Sequence, residues 1–124
     1  MLIRGASGSG KSTLAVQMIA LGCDLVADDR VRLQRIDGQV VASAPRALSG
    51  LVEARGIGIL MAQVRDRAVL RYVVDLDLPP RARYPETGFT DILGIDVELI
   101  GGSGIYGLPS TLMVLLRGGR SLAV

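Results

Sequence analysis

The stretch LIRGASGSGKSTL, residues 2–14, joins an apolar strand end to a glycine-rich turn and the first residues of a helix. Within it, Gly5-Ala6-Ser7-Gly8-Ser9-Gly10-Lys11-Ser12 matches the phosphate-loop pattern G-x-x-x-x-G-K-[ST] in full. Glycines in such a turn let successive backbone N–H groups face inward as a nest for an anion. The helix behind the turn aims the positive end of its dipole at the same place. Lys11 is expected to reach the outer phosphates and the Ser12 hydroxyl to ligate Mg2+, the binding segment running from Gly5 through Thr13. Met1–Arg4 reads as the end of a strand, and Leu14, Ala15, Met18, Ile19 and Gly22 recur at helical spacing. Strand, glycine turn and helix in that order predict an α/β nucleotide-binding domain.

A second apolar run, Leu25-Val26-Ala27, ends in Asp28-Asp29. In many phosphate-loop ATPases the Mg2+-linked acid comes much later in the chain. Here a short helix and a tight turn are expected to return Leu25–Asp28 as a strand beside the first, so that both phosphate-side ends face one crevice. Adjacent acids on a strand end point to opposite sides unless the chain bends. One could accept the proton of an attacking hydroxyl while the other holds Mg2+ or its water; a solvated acidic turn is the plainer alternative. Residues 31–36, the pair Asp37-Gly38 and residues 39–42 then read as a β-hairpin with a two-residue turn. Shikimate-type small-molecule kinases resemble the chain as far as Asp29, but they continue into a helix where this sequence predicts the hairpin.

The stretch LVEARGIGIL, residues 51–60, places Glu53 and Arg55 on one side of a predicted strand, with Gly56 and Gly58 leaving room for another backbone or a substrate. By chemistry alone the two charges could equally form a structural ion pair. Taken together, GASGSGKS (5–12), LVADD (25–29), LVEARGIGIL and the terminal GGRSLAV (118–124) resemble the catalytic domain of HPr kinase/phosphorylase, with EARGIGI the most specific part. That resemblance implies a mixed, strand-rich sheet of the phosphoenolpyruvate carboxykinase-like kind. It implies an ATP- and Mg2+-dependent kinase for a serine of the phosphocarrier protein HPr in phosphotransferase-system regulation, with pyrophosphate and phosphate serving the reverse reaction. Asp28 would be the general base, Asp29 and Glu53 would support Mg2+, and Arg55 would neutralise phosphate charge. Gly119-Arg120 matches a C-terminal motif near the site, although Ser121 and Gly118 depart from its usual Asn and Pro. A cytoplasmic homo-oligomer, a hexamer, is the implied assembly.

The family also carries a strand pair with a His before the loop and a helix after the last strand. The lack of a long N-terminal extension resembles the short alphaproteobacterial forms, but this chain begins at Met1 with no His and stops at Val124. Residues 1–124 are therefore expected to be one catalytic domain without the family's first strands and C-terminal helix, either a trimmed variant or a domain with both ends missing. A non-catalytic nucleotide-binding remnant is the competing reading that this departure leaves open.

Composition narrows the classes. A formal charge of +2 without any Lys/Arg run or aromatic ladder argues against nucleic acid. The single Cys23 cannot close an internal disulfide, which fits a reducing cytosol, and no His with one Cys leaves no ligand set for structural zinc. No apolar run reaches the ~18 residues of a membrane span, and the glycine loop at Gly5 leaves no room for a signal-peptide layout.

Farther along, Ala68–Leu78 reads as one half-exposed strand with Leu70, Tyr72, Val74, Leu76 and Leu78 on a single face and Asp75 and Asp77 opposite, ended by Pro79-Pro80. Arg81–Gly94 reads as a long loop, Ile95–Ile100 as a short strand, Gly101–Gly107 as a link and Thr111–Leu116 as a buried strand or subunit contact. ALSG at 47–50 lacks both the continuation and the spacing of the transporter-ATPase signature LSGGQ.

Overall fold

Val73 and Val74 are both fully buried, yet they belong to two different hydrophobic clusters on opposite sides of one strand. The layers of the molecule follow from that. The computed structural model describes residues 1–45, 50–81 and 87–119. Along them the chain runs β1 (Leu2–Arg4), α1 (Lys11–Ala20), β2 (Arg32–Ile36), β3 (Gln39–Ser43), β4 (Leu51–Ala54) and β5 (Gly58–Met61). It continues through β6 (Arg67–Val69), β7 (Tyr72–Asp75), β8 (Gly88–Ile92), β9 (Ile95–Gly101) and α2 (Leu108–Gly118).

The main sheet has the order β1-β7-β9-β8, with β1, β7 and β9 parallel and β8 antiparallel at the edge. On one face Val74 packs with Leu14 and Met18 of α1 and with Leu108, Leu112 and Met113 of α2. On the other, Val73 joins Val40, Leu70 and Val97, under a second sheet ordered β2-β3-β6. A strand covered on both faces must be apolar throughout, which the Tyr-Val-Val run of β7 satisfies. The hairpin β4-β5 forms a third, two-stranded sheet beside α1. The fold is thus α/β with a mixed, strand-rich sheet.

Several expectations hold. The predicted hairpin is β2-β3, with Asp37 and Gly38 both at positive φ (50° and 73°), the backbone that a two-residue turn between right-twisted strands requires. Ile95–Ile100 lies within β9.

Others need correction. Ala68–Leu78 is not one strand: the chain passes from the second sheet to the main sheet at Leu70-Arg71, which resets the alternation. Leu70 and Val74 consequently face different cores, and the side carrying Val73 and Asp75 is not an open face. The run Leu25–Asp28 does not pair with β1. Leu25 makes one parallel bridge to Val64, and β7 takes the place beside β1. With Val73 and Val74 buried on its two faces, β7 suits the covered position between β1 and β9.

The stretch 111–116 is helical. An unbroken apolar run does not distinguish a buried strand from a buried helix, and Pro109 in the first turn after Gly107 favours the helix. Within the expected loop 81–94, Gly88–Ile92 is a strand paired with β9 through a Leu93-Gly94 turn. A leucine at φ 54° is an uncommon turn residue, which is why that turn carried no sequence signal. Arg120 and most of the ALSG run, residues 47–49, lie outside the described residues.

Candidate functional site

The loop from Gly5 to Gly10 leaves the end of β1 and enters α1 with Gly5, Gly8 and Gly10 at φ 157°, 80° and 96°. At Gly5 the constraint is also spatial, because a Cβ there would lie 2.6 Å from Ser9 Oγ. Inside the loop, the Ser9 N–H donates to the Ala6 carbonyl at 3.0 Å. Lys11 Nζ donates back to the Gly5 and Ala6 carbonyls at 2.8 and 3.0 Å. Helix α1 has no side-chain cap on its N-terminus and no acid in its first turn. Its leading N–H groups are therefore left to water or to an anion. Ser9 Oγ is buried in the loop without a partner.

Asp28 is the residue that ties the neighbouring elements to this loop. Its Oδ1 accepts from the Ser12 hydroxyl at 3.4 Å, and its Oδ2 accepts from the Glu53 N–H at 3.2 Å. The bend that aims it is sharp: the Arg30 N–H donates to the Asp28 carbonyl at 2.7 Å, around Asp29 at φ 64°. A non-glycine residue in that region stores roughly 1–3 kcal/mol of strain. The bend turns Asp29 out as an exposed side chain while Asp28 stays half-buried.

Glu53 reaches Asp28 through its main chain, and its own side chain is exposed on β4. Arg55 does not continue that strand. It sits in the turn Arg55-Gly56-Ile57, closed by the Ile57 N–H on the Ala54 carbonyl at 3.0 Å, and is exposed there. The structure thus brings Lys11, Ser12 and Asp28 together with the backbone of residue 53. Among the described residues no three carboxylate, His or Cys side chains form a ready metal cage.

That donor set fits Mg2+ carried by a nucleotide. Mg2+ takes one or two protein oxygens and completes its shell with phosphates and water. Ser12 Oγ and Asp28 Oδ1 offer two oxygens within 3.4 Å of each other. The orphaned Ser9 hydroxyl and the uncapped helix start suit the phosphates.

Two further residues support the loop's base, Asp77 by direct contact and Asp75 through Asp77. Asp77 Oδ2 accepts from the Ala6 N–H at 2.7 Å. Asp75 Oδ1 accepts from the Asp77 N–H, and Asp75 Oδ2 from Arg4 Nε, each at 2.9 Å. The hydrogen bond from Arg4, followed by that from the Asp77 backbone, holds the Asp75 carboxyl below the usual carboxylate range. A sequence signal for these residues existed in Asp75 and Asp77 at the end of an apolar strand. Reading that strand as half-exposed hid it.

With this geometry in view, comparison with known proteins is specific. A family model described as HPr Serine kinase C-terminal domain matches residues 1–76, a span that holds the glycine loop, Asp28-Asp29 and the LVEARGIGIL hairpin. The chain is similar to the HPr kinase/phosphorylase of Clostridium beijerinckii, at 34% identity over 131 residues that cover 100% of this chain and 41% of the relative. It is also similar to that of Clostridium novyi, at 37% identity over 133 residues covering 100% and 40% respectively. The chain therefore spans well under half the length of these curated relatives. Among solved structures, the Hpr(Ser) kinase/phosphatase from Coxiella burnetii is similar with a TM-score of 0.81 and 28% identity, over 95% of this chain and 85% of that one.

Proposed function

This chain belongs to the HPr serine kinase C-terminal domain family, and from that premise we propose that it is a protein-serine kinase and phosphorylase acting on an HPr-type phosphocarrier. The forward substrate is ATP with Mg2+, held by residues 5–13 acting as a P-loop in a phosphoenolpyruvate carboxykinase-like domain. The observation that carries the reading is Asp28, bonded on one side to Ser12 of the loop and on the other to the Glu53 backbone. This places a carboxylate oxygen beside the residue that follows the loop lysine.

In the forward direction the seryl oxygen of the carrier bonds to the γ-phosphorus, the bond from that phosphorus to the β–γ bridging oxygen breaks, and ADP leaves. Asp28 takes the seryl proton. Lys11 and the loop amides stabilise charge on the moving phosphoryl group, the main way such transfers are catalysed. Ser12 would hold Mg2+, with Asp28, Asp29 and Glu53 in support, and the ion would supply neutralisation of phosphate charge there. Arg55 at the hairpin tip adds a cation at the rim. In reverse, phosphate displaces the carrier serine from phosphoserine to give pyrophosphate, and Asp28 returns the proton to the seryl oxygen.

A protein substrate is favoured over a small hydroxylated metabolite by the surroundings. The hairpin beside Asp28 is open to solvent, with Ile59 and Met61 at 70% and 89% exposure. The reading carries with it a cytoplasmic setting and a homo-oligomer, a hexamer. No helix among the described residues is long and apolar enough to cross a membrane.

The test is phosphoryl transfer from ATP, with Mg2+, to a purified HPr protein, using Lys11→Ala and Asp28→Ala as controls. Label on a serine, lost in both variants, is the expected result. ATP binding with no transfer to HPr would overturn the kinase assignment and leave a nucleotide-binding module.

A further inference from the structure

The backbone ladder between β1 and β7 ends just below the glycine loop. It runs through the pairs Leu2–Val73, Ile3–Val74 and Arg4–Asp75, and the Leu76 N–H then donates to the Arg4 carbonyl at 2.9 Å. In a parallel ladder the next donor on β1 is the Ala6 N–H, and its ordinary acceptor would be the Leu76 carbonyl. Instead β7 turns at Leu76-Asp77, and the Asp77 carboxylate takes the rung at 2.7 Å. The other edge of the same peptide is the Gly5 carbonyl, which accepts from Lys11 Nζ at 2.8 Å. One peptide unit, Gly5–Ala6, is thus gripped on one edge by a carboxylate and on the other by the loop lysine.

Gripping it matters because Gly5 has no Cβ, so rotating this peptide about its flanking bonds meets little steric resistance. A flip would carry the Gly5 carbonyl away from Lys11 and leave the ammonium without that acceptor. Asp77 is itself braced. Its N–H donates to Asp75 Oδ1, and Asp75 is paired with Arg4 at the end of β1. The chain of contacts Arg4, Asp75, Asp77, Ala6 closes on the loop it supports.

We propose that Asp77 is a positioning residue for Lys11. Its carboxylate fixes the Gly5–Ala6 peptide in the one orientation that holds the lysine at the mouth of the loop. The inference rests on the reading of residues 5–13 as the nucleotide site. It runs against simple electrostatics, by which an acid next to a triphosphate site repels the ligand and its removal tightens binding.

The experiment compares Asp77→Ala, Asp77→Asn and the parent chain, with thermal unfolding as a control for folding. In the ligand-free proteins, Ala6 amide exchange and the rate of Lys11 acylation are followed by mass spectrometry. ATP and pyrophosphate dissociation constants are then measured directly. A hydrogen bond to a charged group is lost in Asp77→Ala, so Ala6 exchange and both dissociation constants should rise about tenfold or more, with faster Lys11 acylation. Asp77→Asn keeps an acceptor oxygen and should stay within about threefold of the parent in every readout, although the charge is gone. Equal or tighter ATP binding by Asp77→Ala, or unchanged Ala6 exchange and Lys11 reactivity, would overturn the proposal. A parent chain that binds no ATP would instead sink the nucleotide reading, and the two ligand-free readouts would still decide whether Asp77 positions Lys11.

Discussion

Replacing Asp28 by Asn separates the chemistry of this carboxylate from its place in the structure. Both oxygens of Asp28 accept hydrogen bonds, one from the Ser12 hydroxyl and one from the Glu53 N–H. The Glu53 N–H can only donate, so the Asn carbonyl oxygen must face it. The Asn NH2 then faces Ser12 Oγ, which can accept as readily as donate. Both contacts survive with one polarity reversed, and the geometry of the bend is kept. What disappears is the negative charge of the carboxylate, and with it the ability to take a proton. General-base catalysis contributes typically 10²- to 10⁴-fold, so kcat should fall by about that factor, or roughly 3–5 kcal/mol of transition-state stabilisation. At saturating Mg2+, which offsets the weaker metal site left by the lost carboxylate charge, the KM for ATP should move by less than about threefold, since Lys11, Ser12 and the loop amides are untouched. The unfolding temperature should stay within a few degrees, because Asp28 is only half-buried and neither partner is orphaned. Steady-state transfer from ATP to HPr, read with thermal melts, measures all three. An Asn variant that retains more than a tenth of the parent kcat would show that Asp28 is not the base, whatever its position.

Glu53 acts on Asp28 through its N–H, and the Ala62 N–H bonded to the Gly50 carbonyl sets a β4-β5 register in which that N–H lies on the free edge of β4. Glu53→Ala should therefore keep Asp28 in place and change at most the Mg2+ dependence of transfer, whereas Glu53→Pro should cost about tenfold or more in kcat; equal activity in the two variants would refute the backbone role. Leu112 is 2% exposed in the cluster between α2, α1 and the main sheet, so Leu112→Ala should lower stability by about 3 kcal/mol in urea titration. For Asp75, the folded carboxyl titrates below the usual range, so the unfolded chain takes up protons first as pH falls through about 4. Its contribution is present above that pH and is lost below it. Asp75→Asn should flatten the acid limb of the stability curve, and an identical acid limb in both proteins would remove the Arg4 pairing from the account.

The parts of the fold that were legible share a local cause. The glycine loop, the α1 stripe of Leu14 and Met18, and the Asp37-Gly38 turn are each decided by residues within a few positions of one another. The misread parts depended on partners far along the chain. Nothing near Leu70 indicates that the strand changes sheets there, because the reason lies in distant partners: the Leu70 N–H bonds to the Val40 carbonyl of the second sheet, while Val73 pairs with β1 and β9 of the main sheet. The apolar run of α2 is by itself compatible with strand or helix, and it is Pro109 together with the surface the run covers that assigns the helix. The Leu93-Gly94 turn depends on β9 drawing β8 alongside it, and leucine itself gives no hint of a left-handed backbone.

The same distinction runs through the site, along the line between side chain and main chain. Lys11, Ser12 and Asp28 could be nominated from sequence because, in the function proposed, their side chains carry the chemistry. The two contacts that aim this machinery, Ala6 to Asp77 and Glu53 to Asp28, are made by N–H groups that every residue except proline possesses. No residue type marks such a donor. A signature motif such as EARGIGI can therefore be read for its charges, Glu53 and Arg55, while its structural work is done elsewhere. Here the work is done by an edge N–H on β4 and by a glycine turn that leaves Arg55 at the tip of the hairpin. On this reading the motif fixes the strand edge against which Asp28 is set, and substitutions in it should be judged first by whether they keep that edge open and donating.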